Sequence, residues 1–363
     1  MRIVSFYFYF MILSLSLVCL NTEGKPKSKG GPKVRNIIFM IGDGMGVPAL
    51  YAGMSVAGHP LNIEGFPITG LQKTFSYDNY ITDSAAAGTA LACGIKTNNG
   101  TIGQDPQGNK AKSILKIAEE RGLSTGIVVV TDITDATPAA FVAHNNSRGN
   151  ADAIALDFLK TDLDVFIGGG YNHFGRRADH INLIDSLKNK GYEVDTTMAK
   201  LGQSKASKLV GLTDPLACPY RLNGRGNMLP VASKKAIEIL GRAPKGFFLM
   251  IEGSHIDHAG HDNNADVLVD EVLDFDEAVG IALDYAKKDG HTLVVVTADH
   301  ETGGVTIVNG NMKSHTIKLN FSSKGHTAVM VPVFAFGPGA EKFTGIFDNT
   351  SFLGKFLSCY RFN

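Results

Sequence analysis

Short unbroken apolar runs alternate along this chain with segments whose apolar residues return every three or four positions. Residues 34–41, 126–131, 165–167, 247–251, 292–297 and 328–336 form such runs, rich in Val, Ile and Phe. They are too apolar to alternate polar with apolar, so they predict strands buried on both faces. Between them, residues 110–121, 151–159, 181–190, 231–240 and 265–287 carry helical spacing, and Gly122 and Gly191 stand just after two of these segments as helix stops. Pro332 in the last run predicts a place near a sheet edge. Strand–helix alternation of this kind predicts an α/β fold, doubly wound, with a mostly parallel central sheet flanked by helices on both faces. No internal repeat or later linker breaks residues 34–363, which read as a single domain.

The first residues follow a different pattern. Arg2 precedes an apolar run over residues 3–20, which ends at Asn21 and gives way to a lysine-rich stretch. Residues 1–24 read as a secretory signal and 25–33 as a basic linker. The run approaches the roughly 20 residues that span a bilayer, but the abrupt polar shift favours export, to the periplasm or the extracellular space. Cys19 closes the run. Ser16-Leu17-Val18-Cys19 is a poor lipidation motif, so cleavage and a lipid anchor at Cys19 both stay open.

Composition narrows the function. The 363 residues carry 35 Lys+Arg against 35 Asp+Glu, which argues against nucleic acid as a dedicated partner. Apart from Cys19, the cysteines are Cys93, Cys218 and Cys359, far apart and without a CxxC pair. A disulfide framework and a thiolate zinc site are therefore not expected, although one bridge such as Cys218–Cys359 stays open. Any metal must be held by carboxylate and imidazole.

Those groups cluster where the strands end. Gly42-Asp43-Gly44-Met45-Gly46, Thr131 to Asp135, Glu252 to Asp257 and Ala298-Asp299-His300-Glu301 each follow an apolar run. In open α/β sheets, ligands bind beyond the carboxyl ends of the strands. Asp257 and His261 face the same way if their segment makes a helical turn, and can then share a metal. Asp299-His300 offers a second oxygen–nitrogen pair. Ser84 reads either as part of an ordinary helix start capped by Asp83 or as a nucleophile at a helix N-terminus. There the free N–H groups favour an alkoxide and a bound phosphate. No Ser-His-Asp grouping is evident to activate it, so a metal on its oxygen would do so. Arg148, either a solvated loop residue or a phosphate clamp, lies shortly after Asp135-Ala136-Thr137-Pro138.

The order and spacing of these motifs, with Gly325-His326-Thr327 and Ser147-Arg148 among them, resemble the alkaline phosphatases from about residue 36 to residue 338. The resemblance implies a phosphomonoesterase with two Zn2+ and one Mg2+. Asp257, His261 and His326 would hold the first zinc. Asp43, Asp299 and His300 would hold the second, which also meets the Ser84 oxygen. Asp43, Thr137 and Glu252 would hold magnesium, with Asp135 acting through water and His258 tuning the same site. Arg148 would grip the phosphate, and Ser84 would attack in line to form a phosphoserine. Two metals about 4 Å apart suit such a displacement, because they stabilise the attacking and the leaving oxygen. Asp135 departs from the histidine common in the family, and His258 stands at a position that varies there. The resemblance further implies small phosphomonoester substrates of broad identity and a homodimer. The competing readings are a phosphodiesterase or other hydrolase of the same superfamily, and an exported metal- or phosphate-binding protein without turnover. Phosphodiesterase relatives usually carry threonine at the nucleophile and lack the arginine, and a binder has no use for a complete nucleophile and clamp.

Overall fold

The six apolar runs become six neighbouring strands in the middle of a ten-stranded sheet. The computed structural model describes residues 33–362, within the compact unit Pro32–Asn363; the expected signal segment, residues 1–24 with Cys19, lies outside the described residues. The strands are β1 (Asn36–Gly42), β2 (Ile68–Lys73), β3 (Ser124–Asp132), β4 (Val165–Gly169), β5 (Glu193–Asp195), β6 (Leu209–Leu212), β7 (Phe247–Gly253), β8 (Thr292–Thr297), β9 (Glu301–Thr302), β10 (Val305–Asn311), β11 (Thr316–Phe321), β12 (His326–Thr327), β13 (Val331–Phe336) and β14 (Gly345–Asp348). The helices are α1 (Val47–Ala57), α2 (Ser84–Cys93), α3 (Ile114–Glu120), α4 (Ala136–Ala140), α5 (Ala151–Phe158), α6 (Tyr171–Gly175), α7 (Leu183–Asn189), α8 (Met198–Gln203), α9 (Met228–Leu240), α10 (His255–His261), α11 (Ala265–Asp289) and α12 (Ser351–Tyr360).

The sheet runs β14-β2-β13-β8-β1-β7-β3-β4-β6-β5. Only β13 is reversed, pairing antiparallel with β2 and β8, while the other pairs are parallel. Side chains along β1 alternate between two cores. Ile37, Phe39 and Ile41 join the cluster built with α2 to α7 and α12, whereas Ile38 and Met40 join the one built with α1 and α8 to α11. The sheet is thus covered on both faces, as a double-wound parallel sheet requires.

Several expectations are corrected. Pro332 does not mark an edge, since β13 lies between β2 and β8. Pairing with β8 starts only at Val333, opposite Thr297. The Pro332 carbonyl accepts the Thr297 hydroxyl at 2.8 Å, so the missing N–H falls before the first rung of that ladder. The helix expected from residue 110 begins at Ile114, capped by Ser113, whose Oγ accepts from Lys116 N at 3.1 Å. Residues 110–111 are spent instead on a bridge to Gln104 and a bond to Gly103. The Cys218–Cys359 bridge does not form: Cys93, Cys218 and Cys359 are free and buried. No helix among the described residues is long and apolar enough to cross a membrane.

Candidate active site

The ends of four adjacent strands, β8, β1, β7 and β3, meet over one point at the carboxyl edge of the sheet. Asp43 follows β1, Glu252 lies near the end of β7, Asp299 and His300 follow β8, and the turn after β3 carries Asp135. Gly44 lets this edge close. It has φ 70°, and a Cβ there would lie 2.8 Å from the Asp257 Cα, so an L side chain would be strained and would clash with α10.

Ser84 is the first residue of α2 and buried. Asp83 caps the helix, its Oδ1 accepting from Ala86 N at 2.9 Å. Gly88 on the same helix allows α4 to approach, since a Cβ there would stand 3.1 Å from Ala140 Cβ and 3.4 Å from Thr137 Cα. Ser84 Oγ lies 3.2 Å from His300 Nε2. That nitrogen is 3.4 Å from Asp43 Oδ1 and 3.2 Å from Asp299 Oδ2. Both carboxylate oxygens are buried without a hydrogen-bond partner. Asp43, Asp299 and His300 therefore present converging donor atoms, and a buried carboxylate oxygen without a proton donor calls for a cation.

A second group adjoins the first through His300, which also clusters with Asp257 and His326. The helical turn expected around Asp257 is α10, and it brings His261 to the same place, its Nε2 3.3 Å from Asp257 Oδ2. His326 Nδ1 donates to the Thr82 carbonyl at 2.8 Å, and His261 Nδ1 donates to the Lys324 carbonyl at 2.5 Å. With both Nδ1 atoms protonated for carbonyls, the neutral rings point lone pairs from Nε2 atoms 3.1 Å apart. Lone pairs facing each other beside a carboxylate fit a bound cation. Without one, a proton must take its place, and the bond to Asp257 pushes His261 up to about 9.

Arg148 reaches toward the same space. Its Nη1 lies 3.3 Å from Asp83 Oδ2 and its Nη2 3.0 Å from Asp135 Oδ1. Asp135 also caps α4 and accepts from Thr131 Oγ1 at 3.2 Å. Thr137, within α4, and Glu252 are buried, and Glu252 Oε2 has no partner. Burial pushes the Asp43 carboxyl well above the usual range, and Asp299, Asp257, Glu252 and Asp135 add to the effect. Glu252 is raised by burial and then by Asp135 and Asp299. Burial acts the same way on Asp257, but the His261, His300 and His326 rings outweigh it and hold that group below the usual range. So much buried negative charge at one point fits divalent cations.

Comparison with known proteins identifies the family. The sequence profile of the alkaline phosphatase family matches residues 34–320. Alkaline phosphatase 4 of Bacillus subtilis is 37% identical, over 90% of this chain and 89% of its own. The solved alkaline phosphatase of the Antarctic bacterium TAB5 is 40% identical, with a TM-score of 0.87 over 92% of this chain and 99% of its own. A histidine-to-aspartate mutant of the TAB5 enzyme, holding magnesium in its M3 site, aligns with a TM-score of 0.86 at 40% identity, over the same shares of each chain. This chain belongs to the alkaline phosphatase family. It is a phosphoric monoester hydrolase that uses divalent metal ions.

Three residues of this phosphatase complete the site without having been assigned to it from the sequence. Thr302 donates its hydroxyl to Asp257 Oδ1 and stands 3.2 Å from His300 Nδ1. A donating hydroxyl can only accept from that ring, which leaves the His300 Nε2 lone pair facing Ser84. The signal for Thr302 was at hand in the run Glu301-Thr302-Gly303-Gly304 directly after Asp299 and His300. Asp83 holds Arg148 as well as capping α2. His255 meets His258 through their Nδ1 atoms at 3.0 Å and donates from Nε2 to the Cys218 carbonyl at 2.7 Å. Burial, with His258 beside it, lowers His255 to about 3, so the ring is neutral and must accept from His258.

Proposed function

We propose that this phosphatase hydrolyses phosphate monoesters of broad identity by in-line attack of Ser84, and that its substrates are held mainly by their phosphoryl group. The observation that carries the reading is the meeting of Ser84 Oγ with His300 Nε2, beside the unpartnered oxygens of Asp43 and Asp299. Asp257, His261 and His326 would hold one zinc and Asp43, Asp299 and His300 the other, because mixed carboxylate and imidazole sets suit zinc. Asp43, Thr137 and Glu252 would hold magnesium, whose preference is for oxygen. Asp135 would complete that shell through water and His258 would tune it. A TAB5 mutant with aspartate in place of a histidine holds magnesium in its M3 site, which supports magnesium at the oxygen-rich group of this chain. When bound, the cations supply Lewis acidity that favours the serine alkoxide and neutralises phosphoryl charge.

The residues of the chain do the rest. Ser84 Oγ forms the new bond to phosphorus while the bond to the alcohol oxygen breaks, and the alcohol leaves with a proton. Water then attacks the phosphoserine, releasing inorganic phosphate and the serine hydroxyl. Arg148 donates two N–H bonds to the phosphoryl oxygens, and the N-terminus of α2 faces the same charge. Residues 1–24 would direct export to the periplasm or the extracellular space, with Cys19 as the site of any lipid anchor, and the working unit would be a homodimer.

Hydrolysis of p-nitrophenyl phosphate between pH 7 and 10 tests the reading, before and after chelation and with zinc and magnesium restored separately. Monoester turnover that is lost on chelation, restored by zinc and raised by magnesium is expected. Ser84→Ala should lower kcat on the order of 10³-fold or more and abolish covalent phosphoryl labelling. Preference for bis-p-nitrophenyl phosphate, or a Ser84→Ala protein with normal turnover, overturns it.

A further inference from the structure

Behind the clamp, His173 of α6 stands between two carboxylates. Its Nε2 lies 3.3 Å from Asp132 Oδ2 and its Nδ1 2.7 Å from Asp152 Oδ1. A carboxylate only accepts, so the Nδ1 contact is a hydrogen bond and the Nε2 contact an ion pair, and both hold together only while both ring nitrogens carry protons. The ring is an imidazolium tie, and each of its ends leads to the active site. Asp132, at the end of β3, accepts from Thr134 N at 2.9 Å and from Thr134 Oγ1 at 2.7 Å. Its carbonyl accepts from Asp135 N at 2.9 Å. Asp132 thereby sets the turn that aims Asp135. Asp152 lies in the first turn of α5, directly after the turn that carries Arg148. The two segments meet again where Arg148 Nη2 bonds Asp135 Oδ1. Arg177 closes the tie from behind, its Nη1 donating to the carbonyls of Asp152 at 2.7 Å and His173 at 3.1 Å.

We propose that His173 is a positioning residue for the phosphate clamp: as an imidazolium it fastens Asp132 to Asp152 and so keeps Asp135 and Arg148 in the register that grips the phosphoryl group. The proposal rests on Arg148 acting as the clamp. The charged groups that meet the residue are Asp132 from β3, Asp152 from α5 and Arg177 at its carbonyl, itself paired with Asp179. The bond to Asp132 comes first in raising the ring to about 9, against burial and with the help of Asp152. Above that pH one N–H is left for two carboxylates, the tie opens on one side, and the clamp loosens.

His173→Gln has no charge and cannot donate to both carboxylates from one rigid ring. The test measures KM and kcat for p-nitrophenyl phosphate and the inhibition constant of inorganic phosphate from pH 6.5 to 10. Metal content and Tm are measured on each protein. Below pH 8 the variant should show a phosphate inhibition constant and KM raised about tenfold, the scale of losing a supporting hydrogen-bond partner, with kcat and metal content changed less. The weakening of phosphate binding through about pH 9, present in the wild type, should be missing from the variant. Asp152→Asn, which removes one of the charges raising the ring, should move that step to lower pH. A His173→Gln protein with wild-type phosphate inhibition and pH profile overturns the proposal, whatever happens to its Tm, because only packing would then be lost. Failure of the phosphatase reading is distinguishable, since it would appear as absent monoester turnover in the wild type before any variant is compared.

Discussion

Three imidazoles at the active site have their Nδ1 atoms engaged by fixed oxygens: His326 by the Thr82 carbonyl, His261 by the Lys324 carbonyl and His300 by the Thr302 hydroxyl. Each ring is thereby held in the tautomer that turns its Nε2 lone pair toward the cation sites. The Thr302 hydroxyl is the most demanding of these partners, because it serves Asp257 together with His300, which the two donor groups share. Thr302→Val keeps the shape and removes the hydroxyl. Metal affinity should fall about 10- to 100-fold, the usual cost of losing an outer partner of a ligand, and a chelator-competition titration of zinc would show it. Unchanged affinity would mean that Thr302 only fills space. Of the candidate ligands, Asp43, Glu252, Asp299 and His300 were legible because they stand at or just after the end of an apolar run, where one-dimensional spacing already fixes three-dimensional proximity, whereas Thr137 and His326 came only from the family resemblance. The supporting partners were not legible. Thr302, His255 and His173 each bond a residue far away in the chain, and threonine and histidine have too many ordinary uses for composition to single them out.

Helix α2 shows how an element couples stability to function. Asp83 Oδ1 accepts from Ala86 N at 2.9 Å, while its Oδ2 accepts from Gly100 N at 2.9 Å and faces Arg148 Nη1 at 3.3 Å. Asp83→Asn can keep the cap through its amide oxygen, but its NH2 cannot accept from Gly100 N and the charge opposite Arg148 is lost. Asp83→Ala loses everything. The alanine variant should unfold with about 1 kcal/mol less stability than the asparagine variant, and both should raise KM for a monoester through the unanchored guanidinium. Chemical denaturation beside steady-state kinetics separates the two effects; equal stability of the two variants would show that the cap is dispensable. The same contrast between local signal and tertiary context runs through the whole sheet. The six strands readable from apolar runs are β13, β8, β1, β7, β3 and β4, which are contiguous in the sheet and covered on both faces. The unread strands β14, β2, β6 and β5 occupy its margins, where strands are short or carry polar residues such as Gln72 and Glu193. The hairpin β10–β11 is exposed as well, although Ile317, Leu319 and Phe321 alternate as a half-buried strand should.

Over the whole molecule, the sheet order forces carboxylates together. β8, β1, β7 and β3 are neighbours, so Asp299, Asp43, Glu252 and Asp135 converge wherever the fold forms. Asp43 Oδ1, Glu252 Oε2 and Asp299 Oδ2 are then buried without partners, and the fold must take up either cations or protons. The direction of the pH effect follows. Asp43 and Glu252 are both raised in the folded chain by burial and by neighbouring carboxylates. Protonation therefore supports the metal-free fold fully below the unfolded carboxylate values of about 4, and this support is lost as pH climbs through the raised folded values. Cations replace the protons in the loaded protein, each adding about 2.7 kcal/mol when present at a hundred times its dissociation constant. Because the ligands must be deprotonated to bind, metal affinity also strengthens with pH. The two effects have the same sign. Calorimetry of chelated and metal-loaded protein at pH 5, 7 and 9 should show a Tm gap that widens steadily with pH, mostly through a fall in the chelated form. A constant gap would mean that the chelated site relaxes and lets water reach its carboxylates, and that the sheet does not hold them together unaided.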